Sequence, residues 1–380
     1  MELFNFDNPK PVSPFYSHDL RLWVVTRHED AVRVLSNHEE FSASAIAFTD
    51  FGIRSPIDGK ILDAKDSFLG SDPPLKSQLR KITTGHFSSS NVKKLIPFMN
   101  ERLIEIFDGL TAVDQPCLVN DICTPFSAKI LTNLFGLDPA YCGNVEFWQG
   151  VFGFAKRHLW ENLQGEVDQA VREIWQAANQ LETRTSLGLI PGLMKMYQQG
   201  SLEAVQCVDI VASIIAGSAD TLSLLMGNLL MLLDSDGYSR QQVLEDPACF
   251  PKMLESSLVE TSPVQFSFRK STREVHIGGV VIPSASQILV HIGTANQIAI
   301  QSARNYYGDK SSTKKCSHLA FGRGAHTCPG KHLAIVQAEL ILKSLIIKFP
   351  DLELVSNSYR SLGEPLFCGP KTLKINLSNQ

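Results

Sequence analysis

The sequence predicts a mainly α-helical protein with a small β region late in the chain. Three observations carry that prediction. Apolar residues recur at helical spacing through most of the chain before Pro263. The run from Leu202 to Leu233 is apolar almost throughout, as a buried central helix would be. After Pro263 the pattern changes to short strand-like runs separated by Gly278-Gly279 and Pro283, residues that favour tight turns.

Taken in order, Arg21 to Arg27 reads as a strand, and His28 to Asn37 as a short helix with Ala31, Val32, Val34 and Leu35 as its apolar face. Ser42 to Gly70 has little periodicity and several breakers, so it reads as loop. Asp72-Pro73-Pro74 opens a helix to about Phe87. Val92 to Leu110 follows with Leu95, Ile96, Met99, Leu103, Ile106 and Phe107 in amphipathic register. Helical patterns continue through Pro125–Leu137, Val145–Leu159 and Val167–Leu187. Within Leu202–Leu233, the Ala216-Gly217-Ser218 interruption and the acids Asp209 and Asp220 speak against a membrane span. Val264–Arg269, Glu274–Ile277, Val280–Ile282 and Gln287–His291 read as strands, and Ala295 to His318 as irregular chain. An apolar helix from about His332 to Phe349 precedes strand-like Leu352–Val355 and Thr372–Ile375. There are no repeats and no linker, so one domain over residues 1–380 is expected.

Composition bounds the function. Hydrophobic residues make up 44% and charged residues 19% of the chain, enough apolar material for a sizeable core. A net charge of −4 gives no case for nucleic-acid binding. The eight cysteines form no CxxC, which fits a reducing compartment without a disulfide framework. The first fourteen residues hold Pro9, Pro11 and Pro14 but no apolar stretch, so neither a signal peptide nor a membrane anchor is expected, and the protein is placed in the cytoplasm.

The densest chemistry lies in Phe321-Gly-Arg-Gly-Ala-His-Thr-Cys-Pro-Gly330. It sets Cys328 in a glycine-rich loop directly before an apolar helix. Helix N-termini expose unpaired N–H groups and a positive dipole end, which lower a thiol's pKa and aim donors at its sulfur. The glycines let backbone pass close to something flat and bulky. A thiolate so held suits the proximal side of a heme iron. Two other readings exist. Cys316, His318, His326 and Cys328 could be proposed as zinc ligands, but each close pair has a single intervening residue where two to four are usual. For an arbitrary cysteine, a buried inert thiol would be the default.

The loop closely resembles the heme-binding signature of the cytochrome P450 family, Phe-Gly-x-Gly-x-His-x-Cys-x-Gly, with Phe321, Gly322, Gly324, His326, Cys328 and Gly330 filling every fixed position. The resemblance implies the cytochrome P450 fold, with heme b as cofactor and O2 as co-substrate. It makes Cys328 the axial iron ligand and lets His326 reach a propionate. Gly217-Ser218-Ala219-Asp220-Thr221 resembles the family's oxygen-activation segment over the distal face of the heme. Thr221 would then steady oxygen and Asp220 would take part in proton delivery, with Ser218 departing from the usual glycine. Arg269 matches a propionate arginine. The helix that normally carries His-x-x-x-Arg reads Lys76-x-x-x-Arg80 here, which keeps a charge but less geometric control. Arg80, Lys81, Lys93, Lys94, Arg323 and Lys331 would lie toward the proximal side, where an acidic ferredoxin-type electron donor could dock. An apolar pocket is expected from Ile214, Phe266, Phe268, the Phe367 turn and the Phe152–Phe154 region.

One departure is large. Aligning on Pro263-Val264-Gln265 puts the family's Glu-x-x-Arg pair at Ser256 and Val259, and no Glu is followed three residues later by Arg anywhere in the chain. Removing one partner of a buried ion pair costs roughly 3–5 kcal/mol, whereas replacing both by neutral residues can be near neutral. The resemblance therefore implies a monooxygenase acting on an apolar small molecule of specialised metabolism. Its rivals are a P450-like binding or activating partner without catalysis, and a heme-thiolate enzyme that uses peroxide or rearranges its substrate.

Overall fold

The computed structural model describes residues 14–46, 53–54, 60–137, 188–234, 238–307, 317–361, 363 and 365–377. It opens with β1 (Phe15–Ser17), β2 (Leu22–Val25), α1 (His28–Ser36) and β3 (Phe41–Ser42). Within the stretch expected to be loop lie the short antiparallel pair β4 (Ile53–Arg54) and β5 (Ile61–Leu62). Helices α2 (Leu75–Phe87) and α3 (Ser89–Leu110) follow, then a π-helical turn over Leu118–Cys123 that runs into α4 (Thr124–Phe135). The Ser88 hydroxyl accepts from the Asn91 N–H and so caps the start of α3. The expected helices at Val145–Leu159 and Val167–Leu187 lie outside the described residues, and α5 (Leu189–Gln198) was not expected.

The apolar run is two helices, α6 (Ala204–Ala219) and α7 (Thr221–Asp234), rather than one. The break at Asp220 (φ −119°, ψ −30°) has a local cause. The Ser218 hydroxyl donates to the Ile214 carbonyl (2.8 Å) and the Thr221 hydroxyl to the Gly217 carbonyl (2.6 Å). Hydroxyls that bond back four residues bend a helix, and Gly217 weakens it further. By length and composition Ala204–Leu233 could cross a membrane, but 65% of its most apolar window is buried inside the fold.

Next come α8 (Arg240–Glu245), α9 (Cys249–Glu260), β6 (Phe266–Ser271), β7 (Val275–Ile277), β8 (Val280–Ile282) and β9 (Gln287–His291). The irregular chain expected from Ala295 is instead α10 (Ile292–Tyr307). That segment carries no proline, and its buried Ala295 and Ile300 give it a face to pack. After it come the Cys328 loop, α11 (Lys331–Lys348) and the short strands β10 (Glu353–Leu354), β11 (Arg360–Ser361), β12 (Pro370–Thr372) and β13 (Ile375–Asn376).

The largest sheet among the described residues has the order β1-β2-β9-β6-β3, with β2 and β9 parallel and the other neighbours antiparallel. It sits over a minor core of α1, β7, β8 and Leu319. The major core joins α2 to α7, α9 and α11. Where the two cores meet, α1, α2, β6, α6–α7 and the Cys328 loop converge on one cavity.

Candidate active site

Glycines shape the Cys328 loop. Gly322 and Gly324 have φ of +66° and +68°, a region that glycine enters without steric cost. A Cβ on Gly322 would come within 3.1 Å of the His326 carbonyl oxygen, and one on Gly324 within 3.0 Å of the Ser36 Cα in α1. Behind this turn the Cys328 N–H donates to the Phe321 carbonyl (2.7 Å). Cys328 therefore stands at the N-terminus of α11, where the backbone N–H groups of Gly330 and Lys331 reach its sulfur. Burial pushes the free thiol's pKa up, and those donors, with the nearby Arg80 charge, oppose the rise. Arg80 holds the loop from α2, its guanidinium donating to the carbonyls of Ala325 (3.1 Å) and Thr327 (2.5 Å).

Above Cys328 lies a cavity of about 380 Å³. Gly217, Ser218 and Thr221, at the α6–α7 break, line it together with Phe68, Ile214 and Phe266. The basic side chains Lys76, Arg80 and Arg269 and the imidazole of His326 line it as well. Arg269 is 3% exposed, and its Nη1 donates to the Ser267 hydroxyl (3.1 Å) and the Phe268 carbonyl (2.6 Å). No carboxylate lies within ion-pair distance of it among the described residues. Burial pulls its pKa down to about 10. The His326 Nε2 is buried without a hydrogen-bond partner, 3.8 Å from an Asp72 oxygen, and burial lowers its pKa to about 4. A buried guanidinium without an acid in ion-pair range calls for an anionic ligand. A thiol in the wall, with Arg269, Arg80 and a partnerless His326 Nε2 beside it, fits heme, whose iron takes a thiolate and whose two propionates take cations and N–H donors. Cys328 would hold the iron, with Arg269, His326 and Arg80 at the propionates.

Lys76 stands apart from that group. It was expected to meet a propionate, but its Nζ donates to the Phe68 carbonyl and lies 4.2 Å from the Phe68 ring centroid. Burial lowers its pKa to about 8. Its counter-charge is Asp209 in α6, which is 1% exposed and whose pKa burial pushes up to about 7. Asp209 accepts from the Phe68 N–H (2.5 Å) and from the Ser213 hydroxyl (3.4 Å).

Asp220 does not line the cavity. It ends α6, while its neighbour Thr221 does line the cavity. Ile214 and Phe266 are cavity residues as expected, whereas Phe268 and Phe367 are not, and Phe152–Phe154 lies outside the described residues. Phe268, two residues along β6, shares the face of Phe266 but lies beyond the cavity's lining, and packs against the cluster of Leu22, Val24, Phe266 and Leu289.

The Ser256 and Val259 positions carry no charge. The Ser256 hydroxyl pairs with the Tyr238 hydroxyl (3.2 Å), and Val259 is buried. Two groups that sequence reasoning missed support the Cys328 loop instead. Asn296 in α10, 2% exposed, donates to the Ser262 hydroxyl (2.9 Å) and the Leu258 carbonyl (3.4 Å), and accepts the Leu319 N–H (2.9 Å). His318 accepts the Ala320 N–H at Nδ1 (3.2 Å), which places its own proton on Nε2, 3.6 Å from Glu255. Neither had a sequence signal, because both act across long sequence separations. Asp209 did have one, as an acid inside an apolar helix.

A sequence model described as Cytochrome P450 matches residues 260–359. The chain is 27% identical over 353 residues to the 6-deoxyerythronolide B hydroxylase of Saccharopolyspora erythraea, covering 90% of this chain and 87% of that protein. It is 25% identical over 348 residues to the mycinamicin IV hydroxylase/epoxidase of Micromonospora griseorubida, covering 90% and 85%. Among solved structures, the hydroxylase HmtN superposes with a TM-score of 0.82 at 21% identity, covering 100% of this chain and 96% of that one. CYP109B1 from Bacillus subtilis superposes with a TM-score of 0.78 at 19% identity, covering 99% and 98%.

Proposed function

We propose, from the premise that this chain belongs to the cytochrome P450 family of heme-dependent monooxygenases, that it oxidises a largely apolar small molecule of specialised metabolism by hydroxylation, epoxidation or oxidative coupling. The observation that carries this reading is the Cys328 thiol facing a cavity beside the buried Arg269, which has no carboxylate within ion-pair distance among the described residues. The relatives named for 6-deoxyerythronolide B and mycinamicin IV support the substrate class, as do Phe68, Ile214 and Phe266 in the wall.

When bound, heme would supply the iron at which O2 is reduced with two electrons and two protons: in hydroxylation or epoxidation one oxygen atom enters the substrate and the other leaves as water, and in oxidative coupling the substrate gives up two further hydrogens and both oxygen atoms leave as water. The protein's groups do the rest. Cys328 provides the thiolate, kept in place by the Phe321 carbonyl and the N–H groups of Gly330 and Lys331. Phe321, Gly322, Gly324 and Gly330 shape the ground on which it stands. Thr221 holds a proton at Oγ1, parked on the Gly217 carbonyl at 2.6 Å and free to turn into the cavity. Asp220, outside the cavity, feeds protons to that hydroxyl. The apolar wall excludes bulk water from the reacting atoms. Electrons arrive from an acidic ferredoxin-type donor at the face that carries Lys81, Lys93, Lys94, Arg323 and Lys331, in the cytoplasm.

The test is the absorption spectrum of the purified holoprotein, reduced with dithionite under carbon monoxide. A thiolate-type Soret band that disappears in Cys328→Ala is expected. Protein that takes up no heme when heme is in ample supply would overturn the reading and leave a P450-like partner without catalysis.

A further inference from the structure

Phe68 is held in an unusual way. It is 3% exposed and lines the cavity at the corner between α2 and α6. Its N–H is bound by Asp209 of α6 and its carbonyl by Lys76 of α2, so two buried ionisable groups hold the peptide groups on either side of one residue. The Lys76 Nζ also lies over the Phe68 ring, 4.2 Å from its centroid, which fixes the phenyl as well as the backbone. The turn is braced by the Ser71 N–H on the Ser67 carbonyl (2.9 Å) and the Gly70 N–H on the Ser67 hydroxyl (2.9 Å). Leu69, next along the chain, lines the same corner. Ser213, which bonds the far oxygen of Asp209 (3.4 Å), lines it too.

An exposed lysine–aspartate pair would contribute little to stability, but this pair is 4% and 1% exposed. Burying two charges is costly unless the site uses them. What they hold here is a single aromatic residue in the wall of the cavity. Neither group is hydrogen-bonded to Cys328, Arg80, Arg269 or His326; their bonds go to Phe68 and Ser213.

We infer that Asp209 and Lys76 are positioning residues that lock Phe68 as a rigid size filter at the α2–α6 corner, so that slim apolar ligands enter and bulky ones are refused. The inference rests on the reading of this cavity as the heme and substrate site. Locked, the phenyl cannot rotate away from a bulky ligand. Once the grip is removed, the ring yields and the corner opens.

The test uses the heme-loaded protein and two nitrogen ligands whose binding to iron shifts the Soret band, imidazole as the slim probe and a triphenylmethyl imidazole as the bulky one. In Phe68→Ala and in Asp209→Leu the preference for the bulky probe, measured as the ratio of the two dissociation constants, should rise by about fivefold or more. Imidazole alone should change by no more than about twofold. Because Asp209→Leu strands the Lys76 charge and can compromise folding, Asp209→Leu with Lys76→Met is the second variant, which removes both charges together. It should fold and show the same shift in preference. A merely structural role would weaken both probes together or lower the melting temperature without moving the ratio, and either result would overturn the inference. So would a ratio that moves in Phe68→Ala but stays within about twofold in the double variant. A wild-type protein without a thiolate-type band would instead sink the underlying reading.

Discussion

On its α9–α10 side the Cys328 loop relies on the neutral Asn296 amide, and the α2–α6 corner relies on buried charges. The loop side is tied by the Asn296 amide, which spans the end of α9 and the Leu319 N–H, with the Glu255–His318 contact beside it. The corner is tied by Lys76 and Asp209, and the neighbouring Arg269 has no carboxylate within ion-pair distance among the described residues. The difference follows from what each region faces. The loop side meets only protein, so an amide that donates and accepts at once satisfies every partner without burying charge. The cavity side meets a ligand with two carboxylates, so cations left over by the protein find their partner there.

The most severe way to break this comparison is at Arg269. If its charge is reserved for a carboxylate outside the chain, Arg269→Met should have opposite effects on the two forms of the protein. The heme-free protein should melt at a higher temperature, since an uncompensated buried charge is gone. The holoprotein should lose heme more readily, with an affinity cost of roughly 2–3 kcal/mol, typical of a charge-assisted hydrogen bond lost from a buried site. Melting curves and heme transfer to an acceptor protein would measure the two effects. Destabilisation of both forms would mean that Arg269 serves the fold alone.

Acid provides the next test. Burial holds His318 neutral, with its pKa lowered to about 4 from the ordinary 6.5. A depressed pKa means that the unfolded chain takes up the proton first. Its contribution is therefore present above about pH 6.5 and lost as pH falls through about 4, an amount on the order of 3 kcal/mol for the full shift. His318→Gln should flatten the acid limb of stability against pH, measured by denaturant midpoints. An unchanged acid limb would show that His318 titrates alike in the folded and unfolded chain, and a steeper one that it is protonated in the fold and paired with Glu255.

What was legible in the sequence follows the same division. The Cys328 loop could be read because local chemistry dictates it: Gly322 and Gly324 at positive φ, a thiol before a helix, and His326 two residues away. The central helix was legible as apolar and interrupted at Ala216-Gly217-Ser218, but the break at Asp220 was not, since the Ser218 and Thr221 back-bonds depend on rotamers rather than residue type. The α10 helix was misread because a segment without periodicity or proline looks irregular until Ala295 and Ile300 find a surface. Lys76 was expected at a propionate by analogy, and it does line the cavity, but its bond to the Phe68 carbonyl and its facing Asp209 on α6 had no signal in the sequence. The supports at Asn296 and His318 were invisible for the same reason. Long-range polar contacts leave no pattern in a single sequence.

Asn296→Ala sharpens the comparison from the neutral side. It leaves the Leu319 N–H buried and unpaired at a residue with no solvent exposure, so a cost of about 1–3 kcal/mol is expected. Because the Leu319 carbonyl receives the Gly322 N–H (2.8 Å) and the Phe321 carbonyl receives the Cys328 N–H (2.7 Å), the slack should reach the sulfur. Part of the carbon-monoxide Soret band should move from the thiolate to the thiol position. Lower stability with an unmoved band would confine Asn296 to holding α10 against α9.

Ser256→Ala should have the smallest effect, and it asks whether the position aligned with the family's glutamate still matters. The Ser256 hydroxyl has one partly buried bond, to the Tyr238 hydroxyl at 3.2 Å. Tyr238 can turn its hydroxyl toward water when that bond is lost, so a change within about 0.5 kcal/mol is expected, with the Soret band unmoved. If Ser256→Ala cost as much as Asn296→Ala, α9 would still carry the support of the loop from its old position. The neutral tie would then be an addition to that support rather than its replacement. A near-silent Ser256→Ala beside a costly Asn296→Ala would place the work on the amide, one helix further along the chain.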